Sequence, residues 1–285
     1  MSTEKDQSPI NKRQKRAKFA SVLRQNPEII TLPVSFVVLI GLWELGAKAF
    51  NVPTFILPAP SLIWKAFTSG WRSGIFGFHT LFTLKEISLG FGIAVFWGLF
   101  FGAIVAQWRL VEKTLYPYLV AIESIPKIAL APILTVWFGL GLESKVALAA
   151  LVGFFPILVN TIQGLVTVDE MQLDLLRSLG AGKWQTFWKL RAPNALPFIF
   201  TGFETASVLC VLGAITAEFV GSKSGLGSLI LQYQFIMETP SFFAVVVILG
   251  VLGLSFNGII GFLKKKIVFW LDFSAEKSVD VTTSM

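Results

Sequence analysis

TVDEMQLDLLRSLGAGKWQTFWKLRAPNALP, residues 167–197, separates two apolar runs, and it is far too long for a simple turn between them. Asp169 and Glu170 favour a helix N-terminus, and Met171, Leu175, Leu176 and Leu179 return at helical spacing. Gly180 and Gly182 then break the helix. A second short helix over 183–190 would present Trp184, Phe187 and Trp188 and stop before Pro193, because the residue preceding a proline is biased away from the helical region. Two amphipathic helices joined at a glycine make a docking surface. The alternative is a pair of helices lying in a lipid interface with Trp and Lys as anchors.

The runs on either side decide between a soluble and a membrane setting. Of 285 residues, 54% are hydrophobic and 14% charged, against roughly a quarter charged in soluble proteins. The mean hydropathy is +0.71, and much of the Phe and Trp content lies in uninterrupted apolar stretches. Crossing a hydrocarbon layer of ~30 Å takes ~20 residues, and six stretches qualify: 29–50, 87–105, 115–138, 146–166, 195–220 and 242–263. The runs 87–105, 146–166 and 242–263 carry no charge. The first run is too long for the apolar core of a signal peptide, despite the small-residue sequence Ala47-Lys48-Ala49, and is read as an uncleaved span. The fold class is therefore all-α, a polytopic membrane protein of six transmembrane helices. Residues 1–27 form a basic tail, 28–272 the transmembrane domain with its core at about 87–270, and 273–285 a C-terminal tail.

With the N-terminus inside, 17 of the 24 Lys and Arg residues fall on the cytoplasmic side. The positive-inside rule then places both termini and the 167–194 loop in the cytoplasm. The net charge of +7 is explained by this asymmetry, so nucleic acid is not an expected partner; the lipid bilayer is. One cysteine, Cys210, allows no internal disulfide and reads as a small packing residue. One histidine, His79, placed in an external loop, leaves no metal constellation. Gly98 and Gly102, like Gly250, Gly253, Gly258 and Gly261, let helix backbones approach closely within one bundle.

A charge in mid-bilayer costs about 2.5–3.5 kcal/mol on insertion scales, so Glu123, Lys127, Glu204 and Glu218 need partners or water. Glu123 and Lys127 are one helical turn apart and could pair on one face. Alternatively Lys127, following Pro126 at a helix break, faces a pathway and offers positive potential to an anion. Glu218, near the outer end of its span, anchors the following loop. Glu44 shows no evident role.

The loop resembles the signature of the permease subunits of binding-protein-dependent ABC importers: Glu-Ala-Ala, three residues, Gly, nine residues, Ile, any residue, Leu-Pro. The frame falls on Asp174-Leu175-Leu176, Gly180, Leu190 and Ala192-Pro193, holding the spacing, the Gly and the Pro while the acidic and small positions differ. Other pieces resemble the nitrate/sulfonate/taurine branch: Leu57-Pro58-Ala59-Pro60-Ser61, Ile125-Pro126-Lys127, Trp137-Phe138-Gly139, Phe154-Phe155-Pro156 with Asn160-Thr161, Ala217-Glu218-Phe219 and Gly225-Leu226-Gly227. The resemblance implies a bacterial inner-membrane protein, a homodimer forming one path for a small solute such as a nitrate-, sulfonate- or taurine-like anion or a thiamine-precursor-like molecule. It also implies two cytoplasmic ATPase subunits and an extracytoplasmic solute-binding protein. Asp174, Leu175, Leu176, Gly180, Leu190 and Pro193 become the expected ATPase-coupling residues, and Lys127, Glu123 and Asn160 the candidate pathway.

The chain itself is not expected to be an enzyme or to need a cofactor. Gly182-Lys183 is no Walker loop, since Trp184 takes the Ser/Thr position and Arg177 that of the first glycine. A gradient-driven secondary transporter is the rival reading, but the paired broken helices of two related halves are not visible in the sequence.

Overall fold

Hydrocarbon offers no water to backbone N–H and C=O groups, so long apolar runs close their hydrogen bonds within the segment and fold as helices. The computed structural model describes residues 28–108, 114, 117–119 and 121–270, and among these there is no strand. The helices are α1 (Glu28–Ala49), α2 (Pro60–Arg72), α3 (Ile75–Val105), α4 (Ala131–Phe138), α5 (Leu142–Val166), α6 (Glu170–Ser178), α7 (Lys183–Thr186), α8 (Ala192–Gly221), α9 (Leu226–Phe235) and α10 (Thr239–Ile267). The expected tails, 1–27 and 273–285, lie outside the described residues.

By length and composition, four described helical runs are able to cross a membrane: α3, α5, Lys183–Gly221 and α10. A fifth is a broken pair, Pro117–Glu123 and Lys127–Phe138, bent by 69°. The span expected over 115–138 is thus interrupted at Pro126, where the sequence already places a helix break. Pro126 has no N–H to continue the ladder, and the chain resumes through a 3-10 turn, Lys127–Leu130, before α4. The expected boundaries of two other spans also shift. The α3 helix starts at Ile75 rather than 87, and α5 at Leu142 rather than 146, which brings His79, Glu86 and Lys145 into the helices.

The bundle is centred on α5, which packs most extensively against α3 and α8. A stripe of small residues on α3 makes this possible. A Cβ added at Gly98 would stand 2.6 Å from Ile157 Cγ2, and one at Gly102 would stand 2.7 Å from the Thr161 side chain. The Gly98/Gly102 pair thus serves packing within the chain, as expected. The glycines of α10 do not. Among the described residues, Gly250 and Gly258 have no neighbour within 4 Å of an added Cβ, while Gly253 and Gly261 have only side-chain neighbours at 3.9 and 3.7 Å.

Glu44 acquires a role invisible in the sequence. Its carboxylate accepts hydrogen bonds from Ser61 N–H at 2.9 Å and Ser61 Oγ at 2.8 Å and pairs with Lys48 at 2.5 Å. It thereby satisfies a free N–H in the first turn of α2, which Pro60 opens. The Leu57–Ser61 stretch is thus a helix lead-in whose end is fastened to α1.

Candidate functional site

The loop at the α5–α8 junction is built from its caps upward. Asp169 caps α6 by accepting from Met171 N–H at 2.9 Å. Gly180 ends the helix region with φ +73°, a left-handed conformation that glycine adopts without a Cβ penalty. The Gly182 N–H is taken by the Gln185 side chain at 3.1 Å, starting α7. At the base, the Asn194 amide donates to the carbonyls of Thr167 and Gly164. A Cβ at Gly164 would stand 2.9 Å from Ala195 Cα, so α5 and α8 leave the loop at near contact.

One expectation is revised here. The second helix does not stop before Pro193. It widens into a π-helical stretch, Phe187–Arg191, and runs on into α8. An extra residue per turn relieves the clash that the Pro193 ring would otherwise have with the preceding turn. Leu190 and Pro193 consequently belong to the stalk of α8, whereas Asp174, Leu175, Leu176 and Gly180 belong to the α6 side of the loop.

One exposed stripe of this loop is apolar. Met171, Leu175, Leu179 and Trp184 are 77%, 60%, 73% and 73% exposed. Leu176 is half-buried, and Asp174 forms an exposed ion pair with Arg177 at 3.0 Å. Between the loop and the end of α3 lies a cleft of about 460 Å³ lined in part by Gln107, Leu173, Arg177, Trp184 and Arg191.

The pathway candidates are arranged differently from the pairing that their spacing allows. Lys127 donates to the backbone carbonyl of Glu123 at 2.9 Å, and its Nζ sits 4.7 Å above the centre of the Phe155 ring. No ion pair between Lys127 and the Glu123 carboxylate is found among the described residues. Asn160 is five positions beyond Phe155 on α5. It donates to the Pro156 carbonyl at 2.8 Å and faces Gly202 of α8. Glu204 pairs with Lys264 of α10 at 2.8 Å.

At the opposite end of the bundle, Glu218 anchors the segment that follows it. Its Oε1 accepts from Thr83 Oγ1 at 2.6 Å and its Oε2 from Gly227 N–H. Thr83 Oγ1 accepts in turn from Leu226 N–H at 2.8 Å. His79 Nδ1 stands 3.0 Å from the nitrogen and 2.8 Å from the oxygen of Gly225, in α3 rather than in the expected external loop. Gly225, at φ +105°, lies against the Glu218 carboxyl, where no side chain would fit. Thr83, Glu86 and Lys145, which complete this buried cluster, were missed by the sequence reading. The only signal was their position just ahead of charge-free runs.

Residues 94–269 match the family model described as a binding-protein-dependent transport system inner membrane component. The chain is similar to the riboflavin transport system permease protein RibX of Chloroflexus aurantiacus, with 35% identity over 84% of this chain and 89% of the relative. It is also similar to the formylaminopyrimidine transport permease protein ThiX of Halalkalibacterium halodurans, with 36% identity over 77% of this chain and 87% of the relative. The putative aliphatic sulfonates transport permease protein SsuC of Bacillus subtilis is 31% identical over 82% and 84%. Among solved structures, a chain of the inward-facing MetNI methionine ABC transporter has a similar fold, with TM-score 0.57 and 21% identity over 66% of this chain and 94% of that one.

Proposed function

The chain belongs to the family of binding-protein-dependent transport system inner membrane components, and on that premise we propose that its 167–194 loop seats an ATPase subunit and transmits ATP-driven movement to the spans. The protein is a multi-pass permease subunit of an ABC importer for a small solute, in a bacterial plasma membrane. The observation that carries the coupling role is the exposed apolar face of Met171, Leu175, Leu179 and Trp184, standing on the close α5–α8 junction. An apolar patch on so short a loop marks a binding surface. A rigid stalk beneath it converts a push on the loop into relative movement of the spans, one of two arrangements of the bundle being favoured at a time.

The fuller assembly has two copies of this chain around one path, two ATPase subunits below and a solute-binding protein outside. In this reading α1 and the broken pair complete six spans, with both termini in the cytoplasm. The solute is of the kind that the relatives' names state, a riboflavin-like or formylaminopyrimidine-like heterocycle or an aliphatic sulfonate, selected chiefly by the binding protein. Lys127 and Asn160 line the path, and Glu123 stands at its edge.

Thiol labelling in intact cells tests the arrangement. Cys210 is fully buried, with its Sγ 3.2 Å from the Ala149 carbonyl, and should not react with impermeant reagents. In a Cys210→Ala background, Ser73→Cys is expected to label from outside and Ser178→Cys only from inside. Bound ATPase should protect the Ser178→Cys position. Labelling of both from one side, or no protection by the ATPase, would contradict the assignment.

A further inference from the structure

Glu86 and Glu218 are each 0% exposed, and Lys145 is 1% exposed, at one place in the far end of the bundle. Glu86 lies one turn beyond Thr83 on α3, on the same face, so its carboxyl reaches that of Glu218, which Thr83 already touches. Both oxygens of Glu218 accept hydrogen bonds from Thr83 and Gly227. Both oxygens of Glu86 lack a donor among the described residues. The groups facing the pair are few. From α5, Lys145 turns its ammonium to the carbonyls of Leu140 and Gly221, and makes no carboxylate ion pair among the described residues. Glu143 on the same helix is exposed, and His79 on α3 is engaged with Gly225.

Two carboxylates in contact away from water repel strongly, and neither can donate to the other. We propose that the Glu86 and Glu218 carboxyls hold one proton between them, with Glu86 as the acid donating to the Glu218 carboxylate. This gives one of the two orphaned Glu86 oxygens a partner, and Glu218 can take the extra bond because a carboxylate oxygen accepts more than one. It also closes the charge: one ammonium, one carboxylate and one neutral acid sum to zero in a site that tolerates no excess. The proton is a structural ligand. It ties α3 to α8, and through Thr83, Leu226 and Gly227 it holds α9 against the outer ends of both helices.

Infrared spectroscopy of the purified chain in lipid, in water and in deuterium oxide, tests this directly. At neutral pH the wild type should show a carboxylic-acid carbonyl band that shifts on deuteration and disappears in Glu86→Gln. That variant should retain wild-type thermal stability, since its amide N–H replaces the acid O–H. Glu218→Gln should be much less stable, because its NH₂ group must meet a donor at Thr83 or Gly227. Absence of the acid band in the wild type would overturn the proposal. So would failure of Glu86→Gln to fold or to remain stable.

Discussion

Gly180→Arg is expected to abolish both transport and co-purification of the ATPase while leaving the chain inserted in the membrane. The reasoning separates two effects. Gly180 has φ +73°, and a side chain there costs about 1–2 kcal/mol of backbone strain, which the bundle should survive because the position is at its edge. A Cβ at Gly180 meets nothing within 4 Å among the described residues. On the docking role proposed for the loop, the arginine projects into the space that the ATPase would fill, and it brings an unpaired charge into an apolar contact. Gly180→Ala isolates the backbone part and should retain most of the ATPase. If Gly180→Arg retains the ATPase as the wild type does, the loop lies on lipid instead.

For an anionic solute, Lys127→Met is expected to lower uptake at least ~tenfold, equivalent to about 1.4 kcal/mol in the barrier to passage, and Glu123→Gln in the same chain should not restore it. Pairing with the Glu123 carboxylate would predict rescue, since the second change removes the stranded charge. The structure instead gives Lys127 the Glu123 backbone carbonyl at 2.9 Å and the face of Phe155 at 4.7 Å, neither of which changes in Glu123→Gln. On the pathway role proposed for Lys127, what the double variant lacks is positive potential in a low-dielectric path, which raises the local concentration of an anion. Lys127→Arg keeps the charge and a cation suited to the aromatic face, so appreciable uptake should remain. ATPase co-purification should be normal in all three variants. Full uptake by the Met/Gln double variant would leave Lys127 a structural residue.

The long charge-free runs were legible in the sequence because the bilayer rewards the same property that a hydropathy window detects. The two-helix loop was legible because glycines and caps are local signals. For the charged residues whose roles stay hidden in the sequence, the deciding partner is distant in the chain. Glu86 and Lys145 end the apolar windows, yet the helices continue past them because Glu86 meets Glu218 and Lys145 meets the Gly221 carbonyl inside the protein rather than lipid. Glu44 looked idle because Ser61, its partner, lies beyond a turn. Pro126 and Pro193 show the limit of local rules: the first breaks a span, whereas the second is accommodated by a π-helical stretch. The glycines of α10 follow the same spacing as those of α3, but only the α3 set meets a helix close enough to use it.

Uptake into proteoliposomes containing this chain, its ATPase and its binding protein, with proton and sodium gradients collapsed by ionophores, is the most direct test of the permease assignment. Labelled riboflavin, formylaminopyrimidine and an alkanesulfonate are offered in turn, and the solute that the binding protein retains is followed. Accumulation that persists without gradients, requires ATP on the ATPase side and stops when the ATPase is omitted is the predicted result. Accumulation that vanishes with the gradients, or proceeds without the ATPase, would contradict it and make the chain a secondary transporter.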